Sequence, residues 1–239
     1  METTAYLFLS LLIATLGFIF WYTLSPSLRL PKRFQIQYDI NPAYFNRILR
    51  RRLAGFLIYG LLPVLLIFKW KVLGEVRLED LQISFAWNGS VTFWILILVP
   101  LALLFSFLSA GRSSNLIEYP EIRVTLWTPY RIFLSALYWI LYLVALEFLF
   151  RGLILQSVLM ATRNEFAAIL VSTGLYAMTH YFKNNRNSSL SIPYGLIMAY
   201  VTLASGSLLP AILVHTIGGL TTEWLAIYKH PELQVRFRF

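Results

Sequence analysis

The sequence contains no cysteine, which excludes disulfides, thiolate nucleophiles and cysteine-ligated zinc and leaves the redox compartment open. Charge is scarce too. Asp, Glu, Lys and Arg make up 13% of the chain, about half of what a soluble domain carries. No Gly/Ser-rich or Pro-rich linker divides it, and no repeat of fixed period occurs. Neither a string of domains, a solenoid nor an inverted-repeat transporter is therefore indicated. The first apolar run, Thr4 to Leu24, lacks a basic leader and a small-x-small cleavage site, so it is expected to stay as a helix.

What is abundant is apolar. Hydrophobic residues form 58% of the 239 and mean hydropathy is +0.67, which excludes a water-soluble fold. A bilayer core needs about 20 apolar residues per helix. Runs of suitable length fall near 4–24, 54–70, 91–109, 131–160, 165–182, 189–205 and 207–228. The expectation is an all-α, polytopic transmembrane bundle of about seven helices forming one membrane domain. Within it, residues 1–114 supply the N-terminal helices and a basic loop, and residues 115–239 a polar core. The fourth run is longer than a perpendicular span needs, which predicts tilt or an interfacial first turn.

A net charge of +9 would suggest nucleic acid in a soluble protein; in this one topology explains it better, and no nucleic-acid partner is expected. The first loop carries Arg29, Lys32, Arg33, Arg47, Arg50, Arg51 and Arg52, the third Arg112 and Arg123, and the fifth Lys183 and Arg186. The tail adds Lys229, Arg236 and Arg238. The second loop balances Lys69, Lys71 and Arg77 against Glu75, Glu79 and Asp80; the fourth has Arg163 and the sixth no basic residue. Alternate loops are thus basic, which predicts an external N-terminus and a cytoplasmic C-terminus. The run Arg50-Arg51-Arg52 reads as part of that signal, with an anionic-lipid contact as the alternative. Trp94, Trp127, Trp139 and Trp224 fall near helix ends and read as interfacial anchors.

Against this background a few ionisable residues stand out. Glu147 and Arg151 lie within the fourth run, four residues apart on one helix face, where they can pair. A charge at mid-membrane costs roughly 2.5–3.5 kcal/mol on insertion scales, so the pair must face protein or trapped water. His180 ends the fifth run, and His215 is flanked by apolar residues in the seventh. A carboxylate and two imidazoles on three helices suffice for acid-base work on water. A structural ion pair and a proton relay are the competing readings.

The pattern resembles the CPBP family of intramembrane proteases, the CAAX-protease and bacteriocin-processing group also called Abi. Its motifs are Glu-Glu-x-x-x-Arg, Phe-x-x-x-His and His-x-x-x-Asn, each on its own helix. Glu147 and Arg151 match the second Glu and the Arg, in the frequent form Phe150-Arg151-Gly152; His180 matches the second motif, with Tyr176 in place of Phe; His215 matches the third. The likeness covers roughly residues 115–228, including Tyr119-Pro120. It implies peptide hydrolysis inside a membrane cavity. A glutamate would activate water, histidines would assist, and His with Asn would steady the oxyanion. Glu147, Arg151, His180 and His215 are then the expected catalytic set. The implied partners are the lipid bilayer and a membrane-associated protein or peptide substrate, in a bacterial plasma membrane.

Two positions depart from the pattern. Leu146 stands where the first Glu is expected, and adjacent helix positions point about 100° apart, so Glu147 needs a rotation or a local bulge to serve there. Gly219 stands where Asn is expected, which removes an oxyanion donor. Three outcomes stay open: Glu147 is the base; Glu223, two turns beyond His215 and otherwise read as a solvated helix end, replaces the missing carboxylate across the space at Gly219; or the chain is an inactive relative that acts as a scaffold or regulator. Two His and one Glu meet the needs of zinc, but no His-Glu-x-x-His signature occurs, and no cofactor is expected.

Overall fold

A computed structural model of the chain describes residues 3–23, 42–180 and 185–236, with 20–23, 42–44 and 185–189 described in backbone alone. Arg29, Lys32, Arg33, Lys183 and Arg238 lie outside the described residues, as do the side chains of Tyr44 and Arg186.

Among the described residues, seven helical rods follow the seven apolar runs. They are α1 (Thr3–Thr23), α2 (Pro42–Phe56, continuing through Leu57–Leu61, Leu62–Val64 and Leu65–Lys69), and α3 (Gly89–Ser109). Next comes α4 (Pro129–Glu147, Phe148–Ile154 and Leu155–Thr162), then α5 (Glu165–Met178), α6 (Asn185–Ser205) and α7 (Leu209–Lys229). The starts are set by short polar side chains that accept otherwise orphaned backbone N–H groups. Asn88 Oδ1 accepts from Val91 N at 2.9 Å before α3, and Asn164 Oδ1 from Ala167 N at 3.1 Å before α5. Thr128 plays this part before α4, with Pro129 pre-set for the first turn.

Phe45–Lys69, Gly89–Ser109 and Pro129–Thr162 are long and apolar enough to cross a membrane unaided. The apolar parts of α1, α5 and α6 are shorter, at Thr3–Ile19, Glu165–Met178 and Leu190–Ser205. α7 is long enough, but His215, Glu223, Lys229 and three threonines lower its hydropathy. Of these, α5 ends two residues before His180, and α7 carries His215. The fourth rod runs 34 residues, about 50 Å at 1.5 Å per residue, and exceeds the hydrocarbon thickness as the sequence predicts.

α4 is the hub. Its first half packs on α2 and α7, its second half on α1 and α5; α3 covers α7, and α5 pairs with α6. Leu143, Leu149, Leu153, Ile154 and Leu155 of α4 lie in the main apolar core. Phe93, Leu96, Phe105 and Phe107 of α3 point outward and exposed, the side that lipid covers in a helical membrane bundle. Two short strands pair in parallel: β1 (Leu126–Trp127) aligns Leu126 with Gln234 and Trp127 with Val235 of β2 (Gln234–Val235). This docks the tail beside the start of α4.

Trp127 and Trp139 are not interfacial anchors. Both are buried, Trp127 in a small apolar cluster with Phe45 and Ile122 and Trp139 in the main core. Hydropathy places a tryptophan near a helix end but does not say whether protein or headgroups cover it.

Candidate functional site

Glu147 closes the regular α-helical part of α4, and Phe148–Ile154 winds as a π-helix. A wider turn changes which residues share a face, and such segments recur at functional sites. The winding begins one residue beyond Glu147. Its geometry is supported from α5: the Phe150 carbonyl accepts from Leu155 N–H, and Ser172 Oγ donates to it as well at 2.7 Å. Leu146 points into the apolar core and Glu147 into the polar centre.

Glu147 and Arg151 have no exposed surface. Arg151 Nε lies 3.3 Å from Glu147 Oε2, an ion-pair contact without hydrogen-bond alignment, while Glu147 Oε1 lies 2.5 Å from His215 Nδ1. A carboxylate only accepts, so Nδ1 carries the proton. Nε2 is then the imidazole nitrogen left to exchange protons. The Arg151 guanidinium stacks over the Tyr176 ring at 4.2 Å and lies 5.9 Å from the Tyr194 ring. Tyr176 is the central wall: its ring is 4.9 Å from His180 and 6.2 Å from His215. His180 Nδ1 is 2.9 Å from Thr179 Oγ1 and 3.4 Å from the Tyr176 carbonyl.

The structure thus brings Glu147 into direct contact with both Arg151 and His215 and sets His180 one aromatic ring away. Their different depths along three helices do not separate them, because α7 and α4 cross closely. Tyr194 of α6, which no motif marks, packs its ring 5.0 Å from His215. Gly195 makes this possible: a Cβ there would stand 2.8 Å from Thr173 and 3.3 Å from Tyr176, so only glycine lets α6 come this near α5. Among the described residues, no group of three or more His, Asp or Glu side chains gathers at metal-binding distances.

A second buried polar cluster corrects the reading of Glu223 and of the arginine run. Glu223 is not a solvated helix end; it is 1% exposed, as is Arg52. Arg52 Nη2 donates to Glu223 Oε1 at 3.0 Å, Nε to Glu121 Oε2 at 3.1 Å, and Nη1 to Ser135 Oγ at 2.9 Å. Its guanidinium also lies over the Trp139 ring at 4.3 Å, and Glu121 N–H donates to Glu223 Oε2. Arg51 pairs with Glu121 at 3.5 Å, and Arg50 points outward. The run is therefore more than a topology signal: one of its three side chains ties α2, α4, α7 and the loop before α4 together. Burial beside Glu223 and Glu121 pushes the Tyr119 phenol well above its ordinary ionisation range, so it stays neutral.

Nor is there space at Gly219 through which Glu223 could stand in for a missing carboxylate. A Cβ on Gly219 would meet Leu143 at 2.9 Å and Trp139 Nε1 at 3.1 Å. The gap left by the absent Asn is filled from α4. Sequence reasoning missed Arg52, Glu121, Ser135 and Tyr194. The signal available for Arg52 was a basic run entering a helix with two acidic partners elsewhere, which a charge count along loops cannot resolve.

Residues 119–220 match the family model described as type II CAAX prenyl endopeptidase Rce1-like. No curated protein and no solved structure matches the chain. The matched stretch begins at the Tyr119-Pro120 pair and ends one residue past Gly219, so it takes in every motif position. The stretch of this chain that is similar to that family therefore holds Glu147, Arg151, His180 and His215 together.

Proposed function

We propose that the chain is an intramembrane endopeptidase that hydrolyses a peptide bond of a membrane-associated protein or peptide, with Glu147 as the base that activates water. The carrying observation is the double engagement of a fully buried carboxylate: Oε1 on His215 and Oε2 against Arg151. Arg151 balances the charge of Glu147 without hydrogen-bonding it, which leaves Oε2 a lone pair for a water proton. His215, oriented by Glu147 through Nδ1, presents Nε2 to the leaving amine or to the oxyanion. His180, beyond Tyr176, lines the approach and shares the proton transfers. The similarity of residues 119–220 to the CAAX prenyl endopeptidase model supports the reaction class, and α4 supplies a dry frame in which such electrostatics are strong.

The position of Leu146 does not oppose this. It packs in the core, while Glu147 faces His215 and Arg151.

A second reading has its own support. Gly219 is packed shut by Trp139 and Leu143, as fits an inactive relative that binds a membrane partner without cutting it. Quantitative analysis of membrane-protein termini separates the two, comparing a strain lacking the protein with the same strain rescued by wild type, Glu147→Gln, His180→Ala or His215→Ala. Under the peptidase reading, a terminus lost in the deletion returns with wild type alone. Restoration by all the variants at equal abundance leaves the scaffold.

A further inference from the structure

Hydrolysis of an amide needs a donor for the oxygen that becomes negative, and in this chain the motif position for it is Gly219, sealed against α4. Resting on the peptidase reading above, we infer that the Tyr194 hydroxyl is the replacement donor: a further catalytic residue that hydrogen-bonds the oxyanion of the tetrahedral intermediate. Three observations converge on it. The Tyr194 ring packs against His215 at 5.0 Å and against Tyr176 at 5.9 Å, so it belongs to the wall of the site. Its hydroxyl oxygen is buried and has no hydrogen-bond partner among the described residues. Gly195, the next residue, lets α6 approach α5 beside Thr173 and Tyr176, which a Cβ there would meet at 2.8 and 3.3 Å.

A buried hydroxyl left without a partner is costly. Native proteins keep few such groups, and a donor waiting for a charge that appears only during reaction is a recognised reason. A phenol is well suited to this role, because it donates one proton, is held by a rigid ring, and needs no rearrangement when the charge forms. The guanidinium of Arg151, 5.9 Å from the same ring, adds positive potential behind it.

The step balances without any added reagent. Glu147 Oε2 takes a proton from water as the water oxygen forms a bond to the carbonyl carbon, and the carbonyl π pair moves onto its oxygen. That oxyanion accepts the Tyr194 O–H hydrogen bond. When the pair returns to re-form C=O, the C–N bond breaks and its electrons go to nitrogen. Nitrogen receives the proton first taken from water, delivered by Glu147 or through His215. The products are one carboxylic acid and one amine.

The test is Tyr194→Phe, which keeps the ring and removes one oxygen atom. The probe is the peptide bracketing the Glu147-dependent terminus found in cells, presented to purified full-length protein in liposomes. Losing one oxyanion donor costs about a hundred- to thousandfold in rate, so kcat of Tyr194→Phe is expected to fall by that factor. KM and thermal stability should stay near wild type, and the loss should be equal at every pH where the phenol is neutral. A kcat within threefold of wild type, with Glu147→Gln inactive in the same assay, overturns the Tyr194 assignment and leaves the peptidase reading standing. A loss matched by lower thermal stability overturns it in favour of a packing role. If no terminus in cells depends on Glu147, the peptidase reading fails and the assignment fails with it.

Discussion

Arg52 is held by three partners at once, and removing it would strand the buried carboxylate of Glu223. Deleting one member of a buried ion pair costs about 3–5 kcal/mol, whereas replacing both by apolar groups of similar volume is often close to neutral. Arg52→Met is therefore expected to lower the thermal midpoint in detergent by many degrees, and Arg52→Met with Glu223→Met to recover most of it. Wild-type stability in the single variant would show that the cluster is not a clamp. At this scale the sequence was uneven to read. Glu147, Arg151 and His215 stood out because each is ionisable inside an apolar run, where a charge demands a partner. Arg52 and Glu223 lie near helix ends, where a solvated charge and a buried pair leave the same trace, so their burial depended on chain segments 171 residues apart in sequence. Tyr194 gave no signal at all, since an aromatic in an apolar helix is ordinary.

The approach of α7 to α4 decides how closely Glu147 and His215 meet, and Gly219 sets that approach. A Cβ there comes within 2.9 Å of Leu143 and 3.1 Å of Trp139, and overpacking a filled interface costs roughly 1–3 kcal/mol. Gly219→Asn, which restores the motif on paper, is accordingly expected to lose stability and gain no activity; a faster and equally stable variant would mean that the helices can part to admit the amide. Helix positions were legible because apolar runs and caps such as Asn88, Thr128 and Asn164 mark them locally. The π winding of Phe148–Ile154 was not. Its stretch reads as ordinary helix, and the winding follows from contacts with other elements, such as the Ser172 hydrogen bond to Phe150. The sequence required a bulge or rotation beside Glu147 without being able to say which.

For the whole molecule, the seven rods and the pattern of basic loops make one topological claim: external N-terminus, cytoplasmic C-terminus. The absence of native cysteine makes it direct to test. Single cysteines at the exposed positions Arg112 and Arg50 should be protected in intact cells from a membrane-impermeant maleimide and labelled after lysis. Cysteines at exposed Trp87 and Arg163 should react in intact cells. The opposite pattern inverts the orientation, and labelling of both sets from one side breaks the odd span count. The all-α membrane class followed from composition alone, since nothing else accommodates 58% hydrophobic residues with seven runs of span length. The burial of polar helices such as α7 did not, because hydropathy scores a helix by itself while packing inward is a property of the bundle.

Under the proposed peptidase reading, the bundle holds one carboxylate where it can take a proton from water beside a peptide bond. The most direct test is a single turnover in water enriched in oxygen-18, with purified protein in liposomes and mass analysis of the new C-terminus. Wild type should place one heavy oxygen in the product carboxylate, and Glu147→Gln at equal abundance and stability should yield no product. Formation of the same labelled terminus by Glu147→Gln would contradict the central role of Glu147.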